Sequence, residues 1–219
     1  MTVTVPQQSI LITGAASGIG LATARRFVAQ GWRVGCFDVD RAGLARLGSE
    51  IGEAGYVATL DVSDVSAVHA EIAAFGEWSG GTLDILFSNA GIDAKGSFDT
   101  MDWERIVRVI QVNLMGTFAV IRAGLPLLKR TSNSLCLVTA SASAIVGAPG
   151  MAAYSASKSA VRSLVEALAV EFASSGVRAA DILPGIVDTG MLPADLKARL
   201  PTDGMWRPIA AEEVAEVVM

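Results

Sequence analysis

Apolar residues fall into two alternating patterns along this chain. Short, nearly uninterrupted apolar runs bounded by glycine, asparagine or aspartate give way to longer stretches in which apolar residues recur every three or four positions. The first pattern predicts strands at Ser9–Thr13, Arg33–Asp38, Tyr56–Asp61, Leu83–Ser88, Leu135–Thr139 and Val177–Leu183. The second predicts helices at Gly20–Gln30, Arg41–Glu53, Val65–Phe75, Met101–Arg130 and Ala152–Ser174. The last is the clearest, with Val161, Leu164, Val165, Leu168 and Phe172 forming one stripe and Gly176 marking its end. Strands that are apolar on both faces and alternate with helices imply right-handed crossovers and a buried parallel sheet. The expected fold is therefore α/β: a doubly wound parallel sheet in a three-layer α/β/α arrangement. No repeat or linker divides residues 1–219, so they read as one domain. Ala211–Met219 looks like the opening of an amphipathic helix, with no strand after it.

Composition narrows the setting. Of 219 residues, 52% are hydrophobic, as a sheet covered on both faces requires. Ile106–Leu128 is apolar enough to suggest a membrane span, but Arg108, Gln111, Asn113 and Arg122 interrupt it. A net charge of −5 with no basic cluster argues against nucleic acid as a partner. The first nine residues show no secretory signal, and Cys36 and Cys136 lie in strand-like runs. Buried free thiols in the cytoplasm are the expected state. His69, the single histidine, lies on a helix far from the other motifs and is read as a surface residue; no metal site can be assembled around it.

Two segments carry candidate chemistry. Thr13-Gly14-Ala15-Ala16-Ser17-Gly18-Ile19-Gly20 bridges the first strand and the first helix. Glycines there let the backbone approach a pyrophosphate, and the helix N-terminus offers free N–H groups and a positive dipole. Asp38 ends the second strand, where a carboxylate can accept hydrogen bonds from both ribose hydroxyls of an adenosine and repel a 2′-phosphate. NAD is thus expected in preference to NADP, although Arg41 stands close enough in sequence to reach a phosphate. Asp40 fits better as a cap of the next helix. Farther along, Tyr154 and Lys158 stand one helical turn apart on a shared face. An ammonium there is expected to lower the phenol's pKa and so equip it for proton exchange with an alcohol or carbonyl oxygen.

These elements together resemble the short-chain dehydrogenase/reductase family in its short, single-domain branch. Thr13–Gly20 is similar to its TGxxxGIG loop, Asn89-Ala90-Gly91 to its NAG motif, and Tyr154–Lys158 to YxASK. Asp61-Val62 matches the acid after the third strand, Asn113 the helix asparagine, and Pro184–Thr189 the PGxVxT segment. Ser141 precedes Tyr154 by 13 residues, the family's catalytic interval, which favours it over Ser143. The resemblance implies a Rossmann fold and a catalytic set of Asn113, Ser141, Tyr154 and Lys158. Tyr154 would be the general acid/base, Lys158 would lower its pKa, and Ser141 would donate to the substrate oxygen. Asn113 would interrupt its helix to hold a proton-relaying water. The resemblance further implies cofactor contacts from Gly14, Ser17, Gly18, Ile19, Gly20, Asp38, Asp61, Val62, Asn89, Ala90, Gly91, Tyr154, Lys158, Pro184, Gly185, Val187 and Thr189. For Asn89 a structural role at the sheet edge is an equal alternative.

Residues 190–210 are expected to cover the substrate. Ile92, Ile145, Met151, Met191, Met205 and Trp206 are the apolar wall candidates beside Ser141, and Lys95 and Arg207 the possible carboxylate partners. The implied activity is hydride transfer between NAD(H) and a hydrophobic secondary alcohol or ketone. A nucleotide sensor without turnover is the alternative, favoured only by the absence of the family's usual last strand. A methyltransferase-like use of the sheet leaves Tyr154 and Lys158 unexplained. A homodimer through the Asn113 and Tyr154 helices, or a homotetramer, is expected.

Overall fold

The computed structural model describes residues 7–192, 194–204 and 207–219. Six parallel strands form one sheet: β1 (Ser9–Thr13), β2 (Arg33–Asp38), β3 (Gly55–Thr59), β4 (Ile85–Ser88), β5 (Leu135–Thr139) and β6 (Arg178–Ile182). Their spatial order is β3-β2-β1-β4-β5-β6. The order reverses between β1 and β4, which creates the crevice at the strands' C-terminal ends where ligands of such sheets bind. The four central strands, β2, β1, β4 and β5, alternate their side chains between two cores. Ile10, Ile12, Ile85 and Phe87 point to one face, where they meet Phe27 of α1 (Gly18–Ala29) and Leu44 and Leu47 of α2 (Arg41–Ile51). Leu11, Phe37, Leu86 and Val138 point to the other. There they meet α3 (Val65–Ser79), α5 (Gly116–Leu128) and α6 (Ala152–Phe172).

Cys36 and Cys136 are buried free thiols, one in each core, and loss of hydration pushes both up to about 12. His69 is exposed. The apolar stretch Trp103–Leu128 is long enough to cross a membrane by length and composition. Val120, Ile121, Leu127 and Leu128 instead pack into the sheet's core, which accounts for the hydrophobicity.

The expected long helix is interrupted. α4 (Trp103–Ile110) passes into one π-helical turn at Gln111–Met115 before α5 resumes. Such a turn adds a residue to the ring closed by each hydrogen bond and shifts the side chains that follow. Strand and helix ends differ from expectation by a few residues, as frayed termini do. The covering segment has a base that the hydrophobic pattern did not reveal. β7 (Val187–Asp188) pairs in parallel with β8 (Ile209–Ala210), and α7 (Ala194–Lys197) lies between them. α8 (Ala211–Val218) packs back on α1 through Ala211 and Ala215. The calls on Met205 and Trp206 lie outside the described residues.

Two valines on α6 test which face of that helix is buried. Val165 is 3% exposed and Val170 is 79% exposed. Val165→Ala is expected to cost about 2 kcal/mol, and Val170→Ala less than about 0.5 kcal/mol, as read by denaturant unfolding. Equal effects at the two positions would contradict the orientation of the helix.

Candidate active site

The crevice at the C-terminal ends of β1 and β4 collects both sequence motifs. At one side is the glycine turn, where Gly14 (φ +69) and Gly18 (φ +50) occupy left-handed conformations. A Cβ on Gly20 would fall 2.0 Å from the Gly14 carbonyl oxygen, so only glycine lets α1 close on the turn. Ser17 precedes α1 in extended conformation and makes no side-chain cap, so the first-turn N–H groups face the crevice. Thr189 lies against Gly18, which brings the Pro184–Thr189 segment over the same turn. Pro184 is also tied to the site by its carbonyl, which accepts from Ala142 N–H at 3.0 Å, and Gly185 is exposed. This cradle of glycines and free N–H groups fits a pyrophosphate.

Asp38 sits at the end of β2 beside the turn. Its carboxylate accepts from Ala16 N–H and Asp40 N–H, each at 2.9 Å. Asp40 caps α2, accepting from Ala42 and Gly43 N–H. Asp61, just past β3, accepts from Ser63 N–H at 2.9 Å and from Arg108 at 2.6 Å. Partial burial raises the Asp61 carboxyl, but the Ser63 hydrogen bonds and the Arg108 guanidinium outweigh that and hold it below its ordinary value. Val62, the next residue, is buried against Gly116 at the start of α5.

Asn89 joins the two motifs. Its amide nitrogen donates to the carbonyls of Thr13 (3.1 Å) and Gly14 (3.2 Å), and its oxygen accepts from the Thr139 hydroxyl at 3.0 Å. The Thr13 hydroxyl in turn accepts from Asn89 and Ala90 N–H, each at 3.1 Å. On the far side, the Thr139 carbonyl accepts from the Lys158 ammonium at 2.6 Å. Gly91 leaves room for this arrangement, because a Cβ there would lie 3.4 Å from both Lys158 Nζ and Asn113 Oδ1.

Asn113 occupies the middle of the π turn and is fully buried. Its side chain pairs with the Ile92 backbone in both directions, at 2.8 and 2.9 Å, and donates to Ser157 Oγ at 3.1 Å. Ser157 donates to the Tyr154 carbonyl at 2.7 Å, locking the turn of α6 that carries the tyrosine. Ser141 follows β5 and accepts from Ser143 N–H (3.2 Å) and the Ser143 hydroxyl (3.0 Å), and its side chain stands near enough to Tyr154 to pull the phenol's pKa down. Catalytic candidates Asn113, Ser141, Tyr154 and Lys158 are therefore brought together. Ile92 packs in one cluster with Tyr154, and Met151 opens α6 beside it. Ile145 and Met191 are exposed on neighbouring loops.

The electrostatics correct one expectation. Tyr154 is raised above its ordinary value, first by burial and also by the Asp93 carboxylate, with the Ser141 side chain pulling the other way. Lys158 lies 5.8 Å from the Tyr154 ring centre and is itself lowered by burial to about 8. Helical spacing alone led to the opposite direction because it ignored desolvation, which disfavours both phenolate and ammonium. Sequence reasoning named Thr13 and Ser157 only as members of their motifs, without these bonds, and missed Thr139 and Asp93. The threonines end apolar strands, where only their hydroxyls set them apart. Among the described residues no group of three His, Cys, Asp or Glu side chains is placed to hold a metal ion.

Comparison with known proteins agrees with this geometry. The model of the short chain dehydrogenase family matches residues 8–199. The chain is 35% identical to 2-(R)-hydroxypropyl-CoM dehydrogenase of Xanthobacter autotrophicus, over 95% of this chain and 88% of that one. It is 36% identical to cis-4-hydroxycyclohexanecarboxylate dehydrogenase of Sinomonas cyclohexanicum, over 95% and 86% respectively. The crystal structure of 3-ketoacyl-(acyl-carrier-protein) reductase from Brucella melitensis, complexed with NADH, superposes with a TM-score of 0.88. That alignment is 31% identical and covers 96% of this chain and 88% of the reductase.

The Lys158 environment has a consequence for stability. Its ammonium titrates at about 8 when folded against 10.5 for the free side chain, so between those values the unfolded chain holds the extra proton. Stability contributed at this position therefore rises with pH across that interval. Relative to Lys158→Met, the parent chain is expected to gain stability from pH 8 toward 10.5, by an amount on the order of 3 kcal/mol. Denaturation curves at stepped pH read the difference, and a flat difference would contradict the buried, singly bonded ammonium.

Proposed function

This chain belongs to the short-chain dehydrogenase family, and we propose that it transfers a hydride between NAD(H) and a secondary alcohol or ketone. The observation that carries the proposal is the continuous hydrogen-bonded path from Gly14 through Asn89 and Thr139 to Lys158, beside Tyr154. It sets a proton-exchanging phenol and a dinucleotide cradle in fixed relation to one another. Gly14, Ser17, Gly18, Ile19 and Gly20 would hold the pyrophosphate, with Asp38 at the adenosine ribose and Asp61 and Val62 at the adenine. Ala90, Gly91, Pro184, Gly185, Val187 and Thr189 would line the nicotinamide half. The nicotinamide, when bound, supplies the hydride, and the protein supplies alignment and electrostatics.

In the reducing direction Tyr154 donates its proton to the oxygen that gains charge. The Ser141 hydroxyl stabilises that oxygen through a second hydrogen bond. The Lys158 ammonium stabilises the phenolate left behind, and Asn113 fixes the backbone of Ile92 at the cleft wall. Burial keeps Tyr154 protonated near neutral pH, which suits it to act as the acid. Alcohol oxidation needs the phenolate and should accelerate as the pH becomes alkaline. A negative Asp38 beside the glycine turn supports NAD over NADP. The hydrophobic surroundings of Tyr154, with Ile92 and Met101 in its cluster, support an apolar substrate. Both relatives are named as dehydrogenases of hydroxy compounds, which supports a secondary alcohol as the hydride donor, oxidised to the ketone. We also propose that the α4–α5 face, which exposes Met115 and Phe118, forms a homodimer.

Two measurements test this reading. Absorbance of the reduced nicotinamide, followed with a panel of cyclic and acyclic secondary alcohols, is expected to show turnover that Tyr154→Phe lowers by about a thousandfold. NADH binding without turnover across the panel would contradict it. The parent chain is also expected to prefer NAD over NADP by about tenfold or more, and Asp38→Ser to narrow that ratio. An NADP preference in the parent would contradict the role given to Asp38.

A further inference from the structure

The Asp61 corner is held by a side chain from the opposite side of the crevice. Arg108, on α4, sends Nη2 to Asp61 Oδ2 at 2.6 Å and Nη1 to Ser63 Oγ at 2.5 Å. Ser63 closes the triangle by donating its hydroxyl (2.7 Å) and its N–H (2.9 Å) to Asp61 Oδ1. Both carboxylate oxygens are thereby fixed: Oδ1 is filled by its two Ser63 donors, whereas Oδ2 accepts only from Arg108 and retains a lone pair for a further donor. A second contact reinforces the first. Gly116 brings the start of α5 so close to the same corner that a Cβ would stand 2.6 Å from Val62 Cγ2.

Val62 belongs to the core, but the Arg108 contact does not. Arg108 and Asp61 are both partly exposed, with side chains 43% and 38% accessible, so an isolated pair of this kind stabilises the fold only slightly. The corner lies where β3 ends, next to β2 and Asp38, for Leu60 N–H donates to the Asp38 carbonyl at 2.8 Å. Ligands of a doubly wound sheet lie along that C-terminal edge. We infer that Arg108 is a positioning residue for the adenine end of the dinucleotide, acting by fixing the direction in which Asp61 presents the free lone pair of Oδ2. This rests on the reading of Asp61 as a group that faces the adenine. It makes the helix that leads into Asn113 an anchor for both ends of the cofactor.

Binding measurements separate the inference from the reading beneath it. NADH and reduced nicotinamide mononucleotide, which lacks the adenosine, are titrated by fluorescence against the parent, Asp61→Asn, Arg108→Met and Arg108→Lys. The inference expects Arg108→Met to weaken NADH by about fivefold and to leave the mononucleotide unchanged. Arg108→Lys, which can reach Asp61 but cannot also bond Ser63, should recover part of the loss. Combining Arg108→Met with Asp61→Asn should weaken NADH no further than Asp61→Asn alone. If Asp61→Asn weakens NADH while Arg108→Met does not, the role of Arg108 is overturned and the adenine reading stands. Should Asp61→Asn also leave NADH unaffected, both fail. Equal loss of both ligands in Arg108→Met would mark general damage to the fold and would overturn the inference too.

Discussion

Burying the Lys158 ammonium is the constraint on which the rest of this site depends. A cation that is 4% exposed loses most of its hydration, and it recovers one strong hydrogen bond, to the Thr139 carbonyl. That carbonyl is held in place because the Thr139 hydroxyl is bound by Asn89, and Asn89 is bound to the backbone of the glycine turn. The same strand ends that make the turn therefore also seat the ammonium. Moving either motif would strand a buried charge, so the geometry between cradle and phenol is held by electrostatics as well as by packing.

The fold was legible because its signal is simple. Strands buried on both faces must be apolar throughout, and the runs at Ser9–Thr13 and Leu135–Thr139 show this without ambiguity. Glycines are legible for a related reason, since the closeness of Gly20 to Gly14 tolerates no side chain. The features that escaped notice depend on single atoms or on three-dimensional context. The interruption of the helix at Asn113 was implied by the resemblance, but that it takes the form of a π turn over Gln111–Met115 was not. The two-residue ladder between Val187–Asp188 and Ile209–Ala210 is too short to leave a period.

Local charge reasoning failed in an instructive way at Tyr154. A lysine one turn away suggests an acidified phenol, yet Lys158 is buried, Tyr154 is partly buried, and the Asp93 carboxylate adds its own field. The sign of the shift is set by desolvation, which no spacing in the sequence reports. Arg108 shows the converse error. In the sequence it is a charge that interrupts an apolar stretch, whereas in space it reaches the end of β3 and joins Asp61 to Ser63. Residues whose meaning lies in a partner roughly two elements away stay silent until the topology brings them together.

The central claim is that the glycine turn and the Tyr154 hydroxyl serve one and the same nicotinamide. A crystal structure of the chain grown with NADH tests it most directly. The account predicts the pyrophosphate on the N-terminus of α1 and the nicotinamide C4 near Tyr154, separated from its hydroxyl by no more than the span of one substrate carbonyl, with reacting atoms about 3–3.5 Å apart. NADH seated elsewhere, or on the glycine turn with its nicotinamide directed away from Tyr154, would contradict it.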